Sequence, residues 1–155
     1  MNSSTQLANR LRAVVLNGKW IANTNLQDQL RDLSLKQAVM KIEGLNTIAQ
    51  LTFHINYYLS GVLQVFEGGD LEIRDKFSFD LPEMNSEQEW QNLKNDLFSN
   101  AEKFAAHVEQ MSEDKLNGPF VVKKYGSFRD NIEGMIEHCY YHLGQMVLIV
   151  KMTTS

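Results

Sequence analysis

Thr47-Ile48-Ala49-Gln50-Leu51-Thr52-Phe53-His54-Ile55-Asn56-Tyr57-Tyr58-Leu59 reads as the opening of a long amphipathic helix. Thr47 and Gln50 stand three apart, the spacing of a capping box in which each side chain satisfies a backbone N–H of the other. From there Ile48, Leu51, Ile55, Tyr58, Leu59, Val62 and Phe66 recur at helical spacing and form one stripe, which can be buried only against another element. Gly68-Gly69 ends the helix. One histidine, His54, falls at the margin of the stripe, beside Leu51 and Tyr58.

Three further stretches carry the same signal. The first helix is expected from about Thr5 to Leu16, with Leu7, Leu11, Val14 and Val15 on its apolar side and Asn17-Gly18 as its stop. Between it and the second long helix lies a less regular region, with a short helix expected near 26–33 and a turn near 35–40. The third begins with another capping-box pair, Ser86 and Glu89, and runs to about Gln110, with Trp90, Leu93, Leu97, Ala101, Phe104, Val108 and Met111 as its stripe. The fourth runs from Ser127 to about Lys151, with Phe128, Met135, Cys139, His142, Met146 and Ile149 inward. Pro82 and Pro119 fall in the connections, where helix breakers belong. The 67–85 connection contains the alternating runs Leu71-Glu72-Ile73 and Lys76-Phe77-Ser78-Phe79, expected as short extended pieces. An extended chain covers about 3.3 Å per residue, and a helix of about 20 residues is about 30 Å long. This connection can therefore cross the bundle lengthwise. The expected fold is all-α, one domain over 1–155, a four-helix bundle with a crossover between the second and third long helices.

Composition narrows the function. The 155 residues carry 43% hydrophobic side chains and a net charge of −4, with both signs mixed along the chain. No basic stripe points to nucleic acid or an anionic membrane. The longest apolar run, Met146 to Val150, is far too short to span a bilayer. The opening residues lack the basic-then-apolar pattern of a signal peptide, so a cytoplasmic location is expected. The single cysteine, Cys139, excludes an internal disulfide framework and a cysteine-based zinc site.

The chemistry-bearing residues are histidines. His138 and His142 stand four apart in Ile136-Glu137-His138-Cys139-Tyr140-Tyr141-His142, on one face of the fourth helix, with Cβ atoms about 5–6 Å apart. Two imidazoles so placed can grip one metal ion. His54 would supply a third ligand and leave a fourth position open, the plan of a catalytic metal site. If the second and fourth helices are antiparallel, the histidines fall within about two turns of one another. A histidine on an apolar face is also an ordinary hydrogen-bonded core residue, so both readings stand. The zinc-protease pattern fails because Cys139, not Glu, follows His138. The di-iron pattern fails because Met135 and Cys139 stand where Glu is required, three residues before each histidine. His107 reads as a partly exposed surface residue, with an extra ligand or substrate contact as the alternative. Cys139 reads as a small buried hydrophobe, because a reactive thiol needs exposure and a lowered pKa.

The segment 47–54 with its histidine, followed by His138-Cys139-Tyr140-Tyr141-His142-Leu143-Gly144-Gln145, resembles the DinB-like superfamily of bacterial metalloproteins. Ser86-Glu87-Gln88-Glu89-Trp90 and Arg129-Asp130-Asn131-Ile132-Glu133 are similar to it as well. The resemblance implies an up-down-down-up four-helix bundle with a long connection between helices two and three. It also implies a metal site formed, position by position, by His54, His138 and His142, holding zinc or nickel with water completing the shell. It implies homodimers and a small-molecule substrate. Characterised relatives include S-transferases that use bacillithiol, mycothiol or glutathione, and a mycothiol-dependent isomerase. The expected function is transfer of a low-molecular-weight thiol to an electrophile at a mononuclear site. The alternatives are a metal-dependent hydrolase and a non-catalytic, stress-related metal-binding protein.

Overall fold

The computed structural model describes residues 2–154. Helix α1 (Ser3–Arg12) starts where the Asn2 side chain accepts from the Thr5 N–H, and its last turn widens into a π-helical turn, Ala13–Asn17, closed by the Gly18 N–H on the Ala13 carbonyl. Two short helices follow, α2 (Leu26–Leu30) and α3 (Leu35–Ala38). Helix α4 (Ile48–Phe66) begins with the reciprocal Thr47/Gln50 capping box. Helix α5 (Glu87–Glu109) has half of the expected box: Ser86 Oγ accepts from the Glu89 N–H, but the Glu89 carboxylate turns to the N–H of Asn85. A short α6 (Glu113–Asn117) precedes α7 (Phe128–Thr154).

Side-chain contacts fix the direction of each long helix. Ser4 at the start of α1 meets the Glu109 carbonyl at the end of α5, while Arg12 at its other end meets Glu102, so these two are antiparallel. Asn56 bonds Asn100, and ten residues further along α4 Phe66 packs on Phe104, so α4 and α5 run the same way. Phe66, the last residue of α4, stacks on Phe128, the first of α7, so this pair is antiparallel. The order is up-down-down-up, and the crossover between α4 and α5 is what allows two consecutive long helices to be parallel.

The core is built from the expected stripes: Leu7, Leu11, Ile48, Leu51, Ile55, Leu59, Trp90, Leu97, Phe104, Met135, Cys139 and Met146 are all buried. Lys94 is buried with them, which its type does not announce. Its ammonium donates to the carbonyls of Leu30 (3.3 Å) and Arg31 (3.1 Å), satisfying the C-terminal end of α2, while the indole N–H of Trp90 donates to Leu33. Cations suit a helix C-terminus because the last carbonyls are unpaired there.

The second of the two runs expected to be extended, Lys76-Phe77-Ser78-Phe79, is not. No strand occurs among the described residues; Asp75–Phe77 is a 3₁₀ turn, in which the Phe77 and Ser78 N–H groups donate to Arg74 and Asp75. A local hydrogen-bonded turn satisfies backbone groups that a lone extended segment would leave without partners. The crossover lies against α4 because Gly61 leaves room for it: a Cβ there would overlap the Ile73 side chain.

Candidate metal centre

His54 stands on the second turn of α4, and His138 and His142 stand one turn apart on α7. The antiparallel pairing brings them together. The His138 Nε2 lies 3.1 Å from the His54 Nε2 and 3.0 Å from the His142 Nε2. One ligand atom from each histidine lies within 4.8 Å of the others, a grouping that could hold a metal ion. His107 stands apart from this group, half-buried and near Phe66.

The proton positions explain why the cluster suits a cation. His54 Nδ1 faces the backbone carbonyl of Ser78 at 3.2 Å. A carbonyl only accepts, so the proton sits on Nδ1 and the Nε2 lone pair is free. His142 Nδ1 faces the side-chain oxygen of Gln145 at 2.7 Å, with the same consequence. His138 has one Nε2 to offer and can donate to only one of the two. At least one pair of ring nitrogens therefore lies near 3 Å with no proton between them. Two ligands bound at about 2.0–2.1 Å in a tetrahedral shell would be about 3.3 Å apart, close to the observed separations. Support through the second ring nitrogen, as His54 and His142 have it, is the usual way metal-binding imidazoles are oriented.

Burial keeps these rings neutral, as metal ligation requires. Desolvation lowers the pKa of all three. For His138 it is joined by the neighbouring His142 and His54, and the value is pushed down to about 4. Cys139, though between two of the histidines in sequence, points into the core, and burial pushes its thiol up to about 12. It is the buried hydrophobe that its place on the stripe indicated.

The crossover supplies what the sequence pattern did not reveal. His54 is only 7% exposed, not marginal, because the segment around Ser78 covers it. Phe79 stacks on the imidazole, with ring centroids 3.9 Å apart and planes within 6°. The Tyr58 hydroxyl donates to Asp75 at 2.6 Å, and the Tyr58 ring stands edge-on to both His54 and His138. No spacing rule pairs residues on a helix with a loop some 17–25 positions later; the one hint was the helical spacing of Tyr58 and His54.

A cavity of about 650 Å³ opens beside the cluster. His54 and His138 line it, together with Tyr58, Val62, Ile73 and Met135. A concave site with apolar walls and a few convergent polar groups at one end is the usual form of a small-molecule pocket. No helix among the described residues is long and apolar enough to cross a membrane.

No curated protein and no solved structure matches the chain. The profile of the DinB superfamily matches residues 22–146, a span that includes α4, α5 and all three histidines. With the bundle and the histidine cluster in place, this match assigns the chain to the DinB superfamily.

Proposed function

We propose that His54, His138 and His142 are the ligands of one divalent ion, zinc or nickel, and that the protein is an enzyme transferring a low-molecular-weight thiol to an electrophilic small molecule. The observation that carries this reading is the convergence of the three Nε2 atoms beside a cavity that His54 and His138 line. When bound, such an ion lowers the pKa of a thiol or water at its open position. The chain's own residues do the rest. Ser78 and Gln145 hold the two imidazole tautomers, and Phe79 fixes the plane of His54. The walls formed by Val62, Ile73 and Met135 offer apolar contact to the body of a substrate. Cys139 is sealed in the core, so the nucleophilic sulfur in this reading comes from a bound cofactor.

One observation favours hydrolysis as the second reading. The Asp75 carboxylate, hydrogen-bonded to Tyr58, lines the same cavity and is a candidate base where the motif Glu of zinc proteases is missing. Metal analysis of purified protein followed by parallel conjugation and hydrolysis screens separates the two. Conjugation of bacillithiol, mycothiol or glutathione without hydrolysis supports the first reading. Hydrolysis without conjugation supports the second, and bound metal with neither activity supports a non-catalytic metal-binding role. The proposal includes one domain over 1–155, a cytoplasmic location and a homodimer; Tyr141, Leu148 and Met152, exposed on one side of α7, offer an apolar face for a second copy.

A further inference from the structure

The chain has five arginines, and four of them pair with carboxylates: Arg10 with Glu133, Arg12 with Glu102 and Glu109, Arg31 with Asp28, and Arg129 with Glu113. Arg74 has no such partner among the described residues, and it lines the cavity beside the histidines. Its backbone is held in place. The Tyr57 hydroxyl accepts from the Arg74 N–H at 2.7 Å and donates to the Arg74 carbonyl at 3.0 Å. The preceding residue, Ile73, packs into the space left by Gly61 on α4.

Two carboxylates also line the cavity, Asp75 and Asp130, and neither is paired with Arg74. Asp75 accepts from the Tyr58 hydroxyl, and Asp130 accepts from the Ser127 N–H at 2.9 Å at the start of α7. The cavity therefore has three regions. At one place lie the imidazoles of His54 and His138, along the walls lie Val62, Leu71 and Met135, and at the crossover stands Arg74, exposed and in no salt bridge among the described residues. Guanidinium presents a planar fork of N–H groups that matches a carboxylate.

We propose that the cavity binds a small amphipathic carboxylate, with the carboxylate on Arg74, an apolar body along Val62, Leu71 and Met135, and a donor atom at the three-histidine end. The placement of the donor atom rests on the metal reading above; the anion subsite at Arg74 does not. Arg74 determines specificity by discriminating anionic from neutral ligands of the same shape.

Two matched pairs of probes test this. On metal-loaded protein, calorimetry compares 6-mercaptohexanoate with 6-mercapto-1-hexanol. The carboxylate is expected to bind about five-fold tighter, the size of a solvent-accessible ion pair. That preference should fade at high salt, disappear in Arg74→Gln and persist partly in Arg74→Lys. On metal-free protein, hexanoate should shift the NMR resonances of Ile73 at about five-fold lower concentration than hexanol does in the wild type, and the two should titrate alike in Arg74→Gln. Equal affinity for both thiols, or no binding of either by protein that holds metal, overturns the anion subsite and leaves the metal reading standing. Failure to take up metal sinks the metal reading, and the hexanoate arm alone then decides the subsite.

Discussion

The Nδ1–H of His54 donates to the backbone carbonyl of Ser78, 24 residues further along the chain, at 3.2 Å. This one bond ties the crossover to the histidine cluster. It fixes the tautomer that leaves Nε2 free, and it places Phe79 against the face of the same ring. The segment that lets α4 and α5 run parallel is thus also the outer support of the site.

Gln145 does for His142 what Ser78 does for His54, and here the partner is a side chain that can be changed. Gln145→Leu should weaken metal affinity about 10- to 100-fold, the usual cost of losing an outer-shell hydrogen bond, with little change in helix content. Competition with a chromogenic chelator measures it. Unchanged affinity would remove Gln145 from the account.

Gly61 should matter at a distance. Alanine there collides with Ile73 and pushes the crossover off α4. Overpacking typically costs about 1–3 kcal/mol, so urea denaturation of Gly61→Ala should show a lower midpoint at an unchanged m-value. Because the crossover carries Ser78 and Phe79, metal affinity should fall as well. A variant with lower stability but wild-type metal affinity would separate the crossover from the site.

The pH dependence follows from the direction of the histidine shifts. Burial pushes His138 down to about 4 in the folded protein. In the unfolded chain a histidine takes up its proton near 6.5. Between these values the unfolded state binds more protons, so metal-free stability rises with pH across about 4 to 6.5 and falls as pH drops through that window. Thermal melts of metal-free wild type and His138→Ala, taken at intervals over this range, check it. The variant should show the shallower slope; equal slopes would contradict the assigned shift.

Lys94 and Trp90 tie the α2 region to α5. Lys94→Ala leaves the carbonyls of Leu30 and Arg31 without their donor and removes a buried stem, at a cost of about 1–3 kcal/mol. Denaturant melts give the value. Metal content should stay at the wild-type level, since these residues are remote from the histidines in their contacts.

Much of this could be read from residue spacing. The Thr47/Gln50 box, the Gly68-Gly69 stop and the stripes on α4, α5 and α7 are local signals, and they place each long helix with its buried face. The His138/His142 pair is local too. Their meeting with His54 depends on the antiparallel pairing of α4 and α7, which the family resemblance implied and helical spacing alone left open. The roles of Ser78, Phe79, Asp75 and Lys94 were hidden for a different reason. Each acts through a contact far along the chain; Lys94 stands at stripe spacing between Trp90 and Leu97 but its charge argues for exposure, and a loop serine has no periodicity that marks it as buried.

In the proposed function three histidines hold one ion with a position open to the cavity. A crystal structure of the metal-loaded protein with the ion located by anomalous scattering tests it most directly. One peak is expected at about 2.0–2.1 Å from the Nε2 atoms of His54, His138 and His142, with its remaining coordination facing the cavity lined by Tyr58 and Met135. A peak bound elsewhere, a peak lacking His54, or a shell closed by a fourth protein ligand would contradict it.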